Sequence, residues 1–243
     1  MRNFGLLGNN IDYSFSRKYF SEKFEKENIN ARYRNFDIAS IEEFPEIIGT
    51  NDISGLNVTI PYKEKIMEYL DRLDSHAARI RAVNTIKFEA DGSLTGYNTD
   101  YWGFKESLKP NLRSHHQKAL ILGTGGASKA VAYALKLLNI EYDFVSRNAD
   151  AGFTYDELDK SSIRDHQILI NCTPLGTYPN VEKHPSVPVE YLSEKHLIFD
   201  LVYNPSETRL MKLAAENGSS VINGLRMLEL QAEKAWEIWN SQP

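Results

Sequence analysis

Short apolar runs alternate along this chain with longer stretches in which apolar residues recur at helical spacing. FGLLG (4–8), ARYRNFDI (31–38) and GLNVTI (55–60) read as strands, since β-branched and aromatic residues suit a pleated, half-buried surface. Between them the charged amphipathic stretch 15–28 predicts a helix, and EEFPEII (42–48) a helical turn or two. KEKIMEYLDRL (63–73) carries Ile66, Met67, Leu70 and Leu73 at helical spacing. VNTIKF and SLTGYN flank EADG, a hairpin signal because Asp-Gly supplies positive φ.

The pattern then lapses. KPNLRSHHQ (109–117) is polar, holds a proline and lacks periodicity, so it reads as a linker. KALILGTGGASKAVAYALKLLNIEYDFVSRN (118–148) resumes as apolar strand, glycine turn, alanine-rich helix and second strand, one βαβ unit. HQILIN (166–171), HLIFDL (196–201) and SSVIN (219–223) predict further strands, with a helix at 206–217 closed by Asn217-Gly218. In GLRMLELQAEKAWEIW (224–239), Leu225, Leu228, Ala232, Ala235, Trp236 and Trp239 make one stripe of an amphipathic helix. Alternating strands and helices make the fold class α/β, with the best domain boundary at the linker.

Composition narrows the function classes. The 243 residues are 42% hydrophobic and 25% charged, ordinary for a globular protein. A net charge of −5 argues against a nucleic-acid or anionic-membrane partner. No apolar run approaches the roughly 20 residues that span a bilayer, and MRNFGLLGNN holds too short a run for a signal peptide. A single cysteine, Cys172, excludes an internal disulfide framework and a cysteine metal cluster. The expectation is a soluble cytoplasmic protein. His76, His115, His116, His166, His184 and His196 show no ligand spacing beyond the pair in the linker, which reads as solvated, so no metal is expected.

Two stretches carry chemistry. LILGTGGAS places Gly123, Gly125 and Gly126 between a buried strand and a helix, with Ser128 where the dinucleotide fingerprint has its third glycine. Glycines there let a pyrophosphate approach the backbone, and the helix N-terminus offers N–H donors; the plainer reading is a tight turn with no ligand. At the end of the second strand stands Ser146-Arg147-Asn148, where an NAD site wants an acidic residue. Arg147 is a permanent cation whose donor fork suits a 2′-phosphate, and Asp143 and Asp150 flank the turn on either side, so the cofactor expected is NADP(H).

In the first half, polar clusters sit at element ends. Tyr13-Ser14-Phe15-Ser16 opens the first helix, where one serine serves as an N-cap. Asn57 and Thr59 share a strand face just before Pro61 and Lys63. Asn84-Thr85 and Asn98-Thr99-Asp100 follow, and Asp100 could simply cap the helix from Tyr101. Lys63 reads equally as a solvated charge or a catalytic one. Together these groups suit a small polyhydroxylated ligand.

In sequence order, Y-S-F-S (13–16), N-V-T-I-P-Y-K (57–63), A-V-N-T (82–85), G-Y-N-T-D-Y-W-G (96–103), G-T-G-G-A-S (123–128), S-R-N (146–148), N-C-T-P-L-G (171–176) and G-L-R-M-L-E-L-Q-A (224–232) resemble the shikimate dehydrogenase family along essentially the whole chain. The resemblance implies two α/β domains with a cleft between them: a substrate domain of 1–108 and 224–243, and a Rossmann-like NADP domain of 109–223. It implies that Ser14 and Ser16 bind the substrate carboxylate, that Thr59, Asn84 and Asp100 hold ring hydroxyls, and that Tyr203 and Gln231 add contacts. Lys63 matches the catalytic lysine and Asp100 its partner. Gly123, Gly125, Gly126, Ala127 and Ser128, with Ser146, Arg147 and Asn148, would hold the cofactor; Thr173 would line it, and Gly224 and Met227 would lie near the nicotinamide. The implied reaction is reversible NADPH-dependent reduction of 3-dehydroshikimate to shikimate, in aromatic amino acid biosynthesis, by a monomer or homodimer. Departures from the family pattern are Tyr13 and Arg17 around the serines, Ser146 and Asn148 around Arg147, and Arg226 in place of a glycine. Two other readings are a quinate/shikimate dehydrogenase using NAD(P) and a nucleotide-binding sensor without catalysis.

Overall fold

The computed structural model describes residues 1–12, 14–148 and 152–241, so Tyr13 and Asp150 lie outside the described residues. The chain divides into two compact units, Met1–Trp102 with Leu228–Pro243, and Gly103–Met227.

The first unit opens with β1 (Arg2–Gly8), α1 (Phe15–Lys26), β2 (Ala31–Asp37), α2 (Phe44–Thr50) and β3 (Gly55–Val58). It continues through β4 (Arg72–Leu73), α3 (Ser75–Ile80), β5 (Thr85–Phe88), β6 (Leu94–Tyr97) and the first residues of α4 (Asp100–Leu108). The strands form one sheet in the order β2-β1-β3-β5-β6-β4. β1 runs parallel to β2 and β3, whereas β5 lies antiparallel to β3 and β6. One apolar cluster holds Leu7, Phe44, Leu56, Val58, Ile66 and Ile86. A second, mostly aromatic, sets Phe4, Phe20, Phe24 and Tyr33 against Ala232, Ala235 and Trp239, which places the chain's last helix beside the strands where the chain began.

The second unit contains β7 (Lys118–Leu122), α5 (Gly126–Leu137), β8 (Glu141–Ser146), β9 (Phe153–Thr154), α6 (Lys160–Asp165) and β10 (Ile168–Asn171). After these come β11 (Leu197–Asp200), α7 (Arg209–Glu216), β12 (Ser220–Asn223) and the start of α8 (Leu225–Asn240). Its strands pair in parallel in the order β12-β11-β10-β7-β8-β9. β7, β10 and β11 are almost wholly buried, as parallel strands covered by helices on both faces must be.

Four expectations change. The helical spacing over 63–73 becomes a 3₁₀ turn at Lys65–Tyr69 and the edge strand β4. Ile66 enters the core and Met67 and Leu70 pack against it, but Asp71 donates its N–H to the Leu94 carbonyl, accepts the Leu94 N–H on its carboxylate and leaves Leu73 at the exposed edge. The third strand ends at Val58 rather than residue 60, although the Thr59 N–H still reaches the Leu7 carbonyl at 2.9 Å. Leu225 leaves the stripe of α8 and is exposed. In the polar stretch 109–117, His115 is exposed but His116 is buried, its Nδ1 accepting the Arg113 N–H at 3.0 Å, and burial lowers its pKa.

Candidate active site

Lys63 is set by what surrounds it along the chain. Tyr62 sinks into the core of the first unit and its hydroxyl donates to the Ile38 carbonyl at 2.8 Å, while the Lys63 carbonyl accepts the Val83 N–H at 2.7 Å. With its backbone held on both sides, the lysine's Nζ donates to Asp100 Oδ2 at 2.7 Å. The Asp100 side chain is 4% exposed and that of Lys63 16%, so the ammonium is the accessible member of the pair.

Asp100 opens α4 but does not cap it. Asn98 does, its Oδ1 accepting the Tyr101 N–H at 3.3 Å. Both oxygens of Asp100 are therefore left for side chains: Oδ2 takes Lys63 and Oδ1 takes Asn84 Nδ2 at 2.9 Å. Asn84 is buried, its own Oδ1 accepts the Thr99 N–H at 2.6 Å, and its Nδ2 also reaches Gln231 Oε1 at 3.2 Å. Lys63, Asp100, Asn84 and Gln231, drawn from four separate segments, thus form one continuous hydrogen-bonded set. An ammonium carries three donors, and only one is spent on Asp100, so Nζ can still donate to an oxygen placed above it.

The serines begin α1. Ser14 is the N-cap, with Oγ accepting the Arg17 N–H at 3.3 Å. A capping oxygen acts as acceptor, so its proton remains available for a carboxylate. Ser16, two residues on, donates to the Tyr33 hydroxyl, whose pKa burial pushes well up. Tyr33 gives its own proton to Asn57 Oδ1 at 2.7 Å, and Asn57 Nδ2 donates to the Asn84 carbonyl and to Thr85 Oγ1. The polar atoms of Asn57 are thus engaged inside the protein, tying α1 to the Asn84 turn, instead of facing a ligand beside Thr59. Thr59 follows β3, half-buried, with its methyl where a Cβ on Gly8 would come within 2.5 Å.

The second unit holds the remaining predicted residues. Gly123 has φ +99, a left-handed conformation that favours glycine. Gly125 is the N-cap of α5, whose first turn carries no acidic residue and has no side-chain cap. A Cβ added at Gly125 or Gly126 would meet nothing within 4 Å. That open space over uncapped N–H groups at Gly126 and Ala127 fits a pyrophosphate. Ser128 is buried and its Oγ donates to the Gly125 carbonyl at 2.6 Å, so it closes the turn. Ser146 does the same for its own turn, donating to the Asn148 carbonyl at 2.6 Å and accepting the Asn148 N–H at 3.0 Å. Arg147 and Asn148 are exposed on that turn, and the arginine fork fits a 2′-phosphate.

Thr173 donates to Asn171 Oδ1 from both its N–H, at 2.9 Å, and its hydroxyl, at 2.7 Å. Its methyl lies 3.0 Å from where a Cβ on Gly123 would stand. Gly224 donates its N–H to the Val202 carbonyl at 3.1 Å, and a Cβ there would fall 2.1 Å from the Leu201 carbonyl, leaving room only for glycine. Met227 is buried, whereas Tyr203 is 36% exposed, and its partial burial raises the pKa of the hydroxyl. Among the described residues no group of three or more His, Cys, Asp or Glu is placed to hold a metal ion, and no helix is long and apolar enough to cross a membrane. The sequence reading missed Tyr33 and the capping role of Asn98; the second was legible, since an asparagine three residues ahead of Tyr101 is a helix-start signal.

The family model for the shikimate dehydrogenase substrate-binding domain matches residues 6–86. A curated NADP(+)-dependent shikimate dehydrogenase of Clostridium botulinum is 38% identical over 247 residues, covering 97% of this chain and 95% of its own. The chain belongs to the shikimate dehydrogenase family. Among solved structures, the Thermus thermophilus shikimate 5-dehydrogenase in complex with NADP(H) and shikimate superposes with a TM-score of 0.88 at 31% identity, over 99% of this chain and 94% of that one. The Corynebacterium glutamicum quinate dehydrogenase in complex with NAD gives the same TM-score of 0.88 at 26% identity, over 98% and 93%. Family membership therefore carries the fold and the NADP-linked oxidoreductase chemistry, while the choice of ring and cofactor rests on particular residues.

Proposed function

We propose that this chain catalyses the reversible NADPH-dependent reduction of 3-dehydroshikimate to shikimate, a step of aromatic amino acid biosynthesis in the cytoplasm. One observation carries the assignment of roles. Asp100, released from helix capping by Asn98, bridges Lys63 Nζ at 2.7 Å and Asn84 Nδ2 at 2.9 Å.

When bound, NADPH supplies the hydride for the C3 carbonyl carbon of the substrate. Lys63 holds the carbonyl oxygen by an N–H donor, stabilises the negative charge that grows on it and gives it the proton that completes the hydroxyl. In the reverse direction the same nitrogen accepts that proton. Asp100 fixes the direction of the ammonium and, with Asn84 and Gln231, receives the neighbouring ring hydroxyls; Thr59 and Tyr203 add contacts. Ser14 donates to the carboxylate, and Ser16 joins it by turning its single proton away from the Tyr33 hydroxyl. That pairing of a neutral two-hydroxyl cradle with a carboxylate sets which end of the ring points toward Lys63.

The residues 1–108 and 224–243 make the substrate-binding domain and 109–223 the cofactor domain. Gly123 to Ser128 receive the pyrophosphate and Arg147, beside Asn148 on the turn that Ser146 closes, the 2′-phosphate. Thr173, Gly224 and Met227 border the nicotinamide side. All of these groups come from one chain, so a monomer is sufficient for activity and a homodimer compatible with it.

A panel of four assays tests the assignment: NADP+ and NAD+, each with shikimate and with quinate, followed by absorbance of the reduced cofactor. Oxidation of shikimate with NADP+ well above the other three is expected. Preference for quinate with NAD+ would assign the chain to the neighbouring activity, and no reduction in any cell would leave it a binding protein.

A further inference from the structure

The second unit buries a carboxylate for which the reaction has no use. Asp200, the last residue of β11, is 0% exposed. Its partners are neutral donors: Asn171 Nδ2 at 2.9 Å and the Val202 N–H at 3.1 Å on Oδ1, and the Thr208 hydroxyl at 2.6 Å on Oδ2. A buried carboxylate costs free energy unless its hydrogen bonds are complete, and burial pushes this one's pKa up. An apolar side chain would fill the place without that cost, so the group calls for a role.

The role follows from what an acceptor-only group does to an amide. Facing Asp200, the side chain of Asn171 must present its NH₂, and its Oδ1 is thereby turned to the other side. There Oδ1 accepts both the N–H and the hydroxyl of Thr173, and Thr173 Oγ1 in turn accepts the Leu175 N–H at 3.3 Å. The Thr173 methyl is thereby held at the place where a side chain on Gly123 would begin, 3.0 Å from that missing Cβ. The same carboxylate braces Val202, whose carbonyl accepts the Gly224 N–H at 3.1 Å.

We propose that Asp200 is a positioning residue for NADP(H): through Asn171 it fixes the orientation of Thr173 against the Gly123 turn. This inference rests on the cofactor site assigned above and extends it to a residue that touches no ligand. Thr208 provides the internal control. It bonds the far oxygen of Asp200 and caps α7, accepting the Met211 N–H at 3.3 Å, without touching Asn171.

Calorimetric titration with NADP+, paired with a melting temperature for each protein, tests it. Asp200→Ala removes the closer of the two acceptors that hold the Asn171 NH₂, leaving only the Leu175 carbonyl at 3.3 Å, and is expected to weaken NADP+ binding about tenfold. Thr173→Val is expected to do much the same, and the double variant to be no weaker than the weaker single, because the two residues act in series. Thr208→Val is expected to lower the melting temperature with the Kd for NADP+ within about twofold of wild type. If Asp200→Ala does not fold, Asn171→Ala breaks the same series one link on and is expected to give the same loss. A Kd within about twofold of wild type in the first variant that folds, or effects that multiply in the double variant, overturns the inference alone. A wild-type protein that binds no NADP+ overturns the cofactor site, and this inference with it.

Discussion

Capping decides the roles of two residues here, in opposite ways. Asp100 stands where a helix cap is expected, yet Asn98 accepts the Tyr101 N–H and the carboxylate is left to pair with Lys63. Ser14 does cap α1, and capping consumes only its acceptor function. Ser14→Ala should therefore act twice: helix stability falls by about 1 kcal/mol through the lost cap, and KM for shikimate rises through the lost donor. Because a carboxylate contact is made in the ground state and the transition state alike, kcat should change little. Steady-state kinetics beside a thermal melt separate the two effects, and an unchanged KM would remove Ser14 from the carboxylate site. Residue types and positions such as Lys63 and Asp100 were legible in the sequence. Their 2.7 Å approach was not, since they lie 37 residues apart and only the folded sheet brings them together.

At the scale of elements, legibility followed burial. The unit β7-α5-β8 declares itself because an apolar strand between two others must be continuous, and an alanine-rich helix must cover it. The stretch 63–73 misleads because its apolar spacing is satisfied equally by a 3₁₀ turn followed by an edge strand. Helices α3 and α6 are six residues each and rest on aspartate caps, Asp74 and Asp159, more than on periodicity. Packing of α8 is set from the other side, by Gly55: a Cβ there would fall 2.5 Å from the Trp239 ring, whose Nε1 donates to the Ile86 carbonyl at 3.0 Å. Gly55→Ala should cost about 1–3 kcal/mol by overpacking, read as a melting temperature lower by several degrees; an unchanged melt would mean that the helix gives way freely. The β5–β6 hairpin offers a pH test. Ser93 and then Arg72 hold the Asp91 carboxyl down to about 2. Its folded pKa lies below the unfolded value of about 3.9, so its contribution to stability is present above that value and is lost as pH falls through about 2. A titration followed by NMR should place its midpoint near 2, and Arg72→Ala should raise it; a midpoint at the ordinary carboxylate value would contradict the pairing.

For the molecule as a whole, the two units carry separate chemistry, an ion pair with hydroxyl-binding partners in one and an uncapped glycine-rich helix start in the other. A ligand that binds only the folded chain raises its stability by mass action. NADP+ should therefore raise the melting temperature at concentrations where NAD+ does so less, and Arg147→Ala should erase the difference; equal shifts in the wild type would remove Arg147 from the 2′-phosphate site. The central claim is that Lys63, aimed by Asp100, handles the proton of a shikimate oxidoreduction. The most direct measurement is the steady-state rate of shikimate-dependent NADP+ reduction by the wild type and by Lys63→Ala. The variant's kcat is expected to fall by about 10²-fold or more, the usual scale of general acid–base help, with KM for shikimate far less affected. A variant that retains near-normal kcat would contradict the central claim.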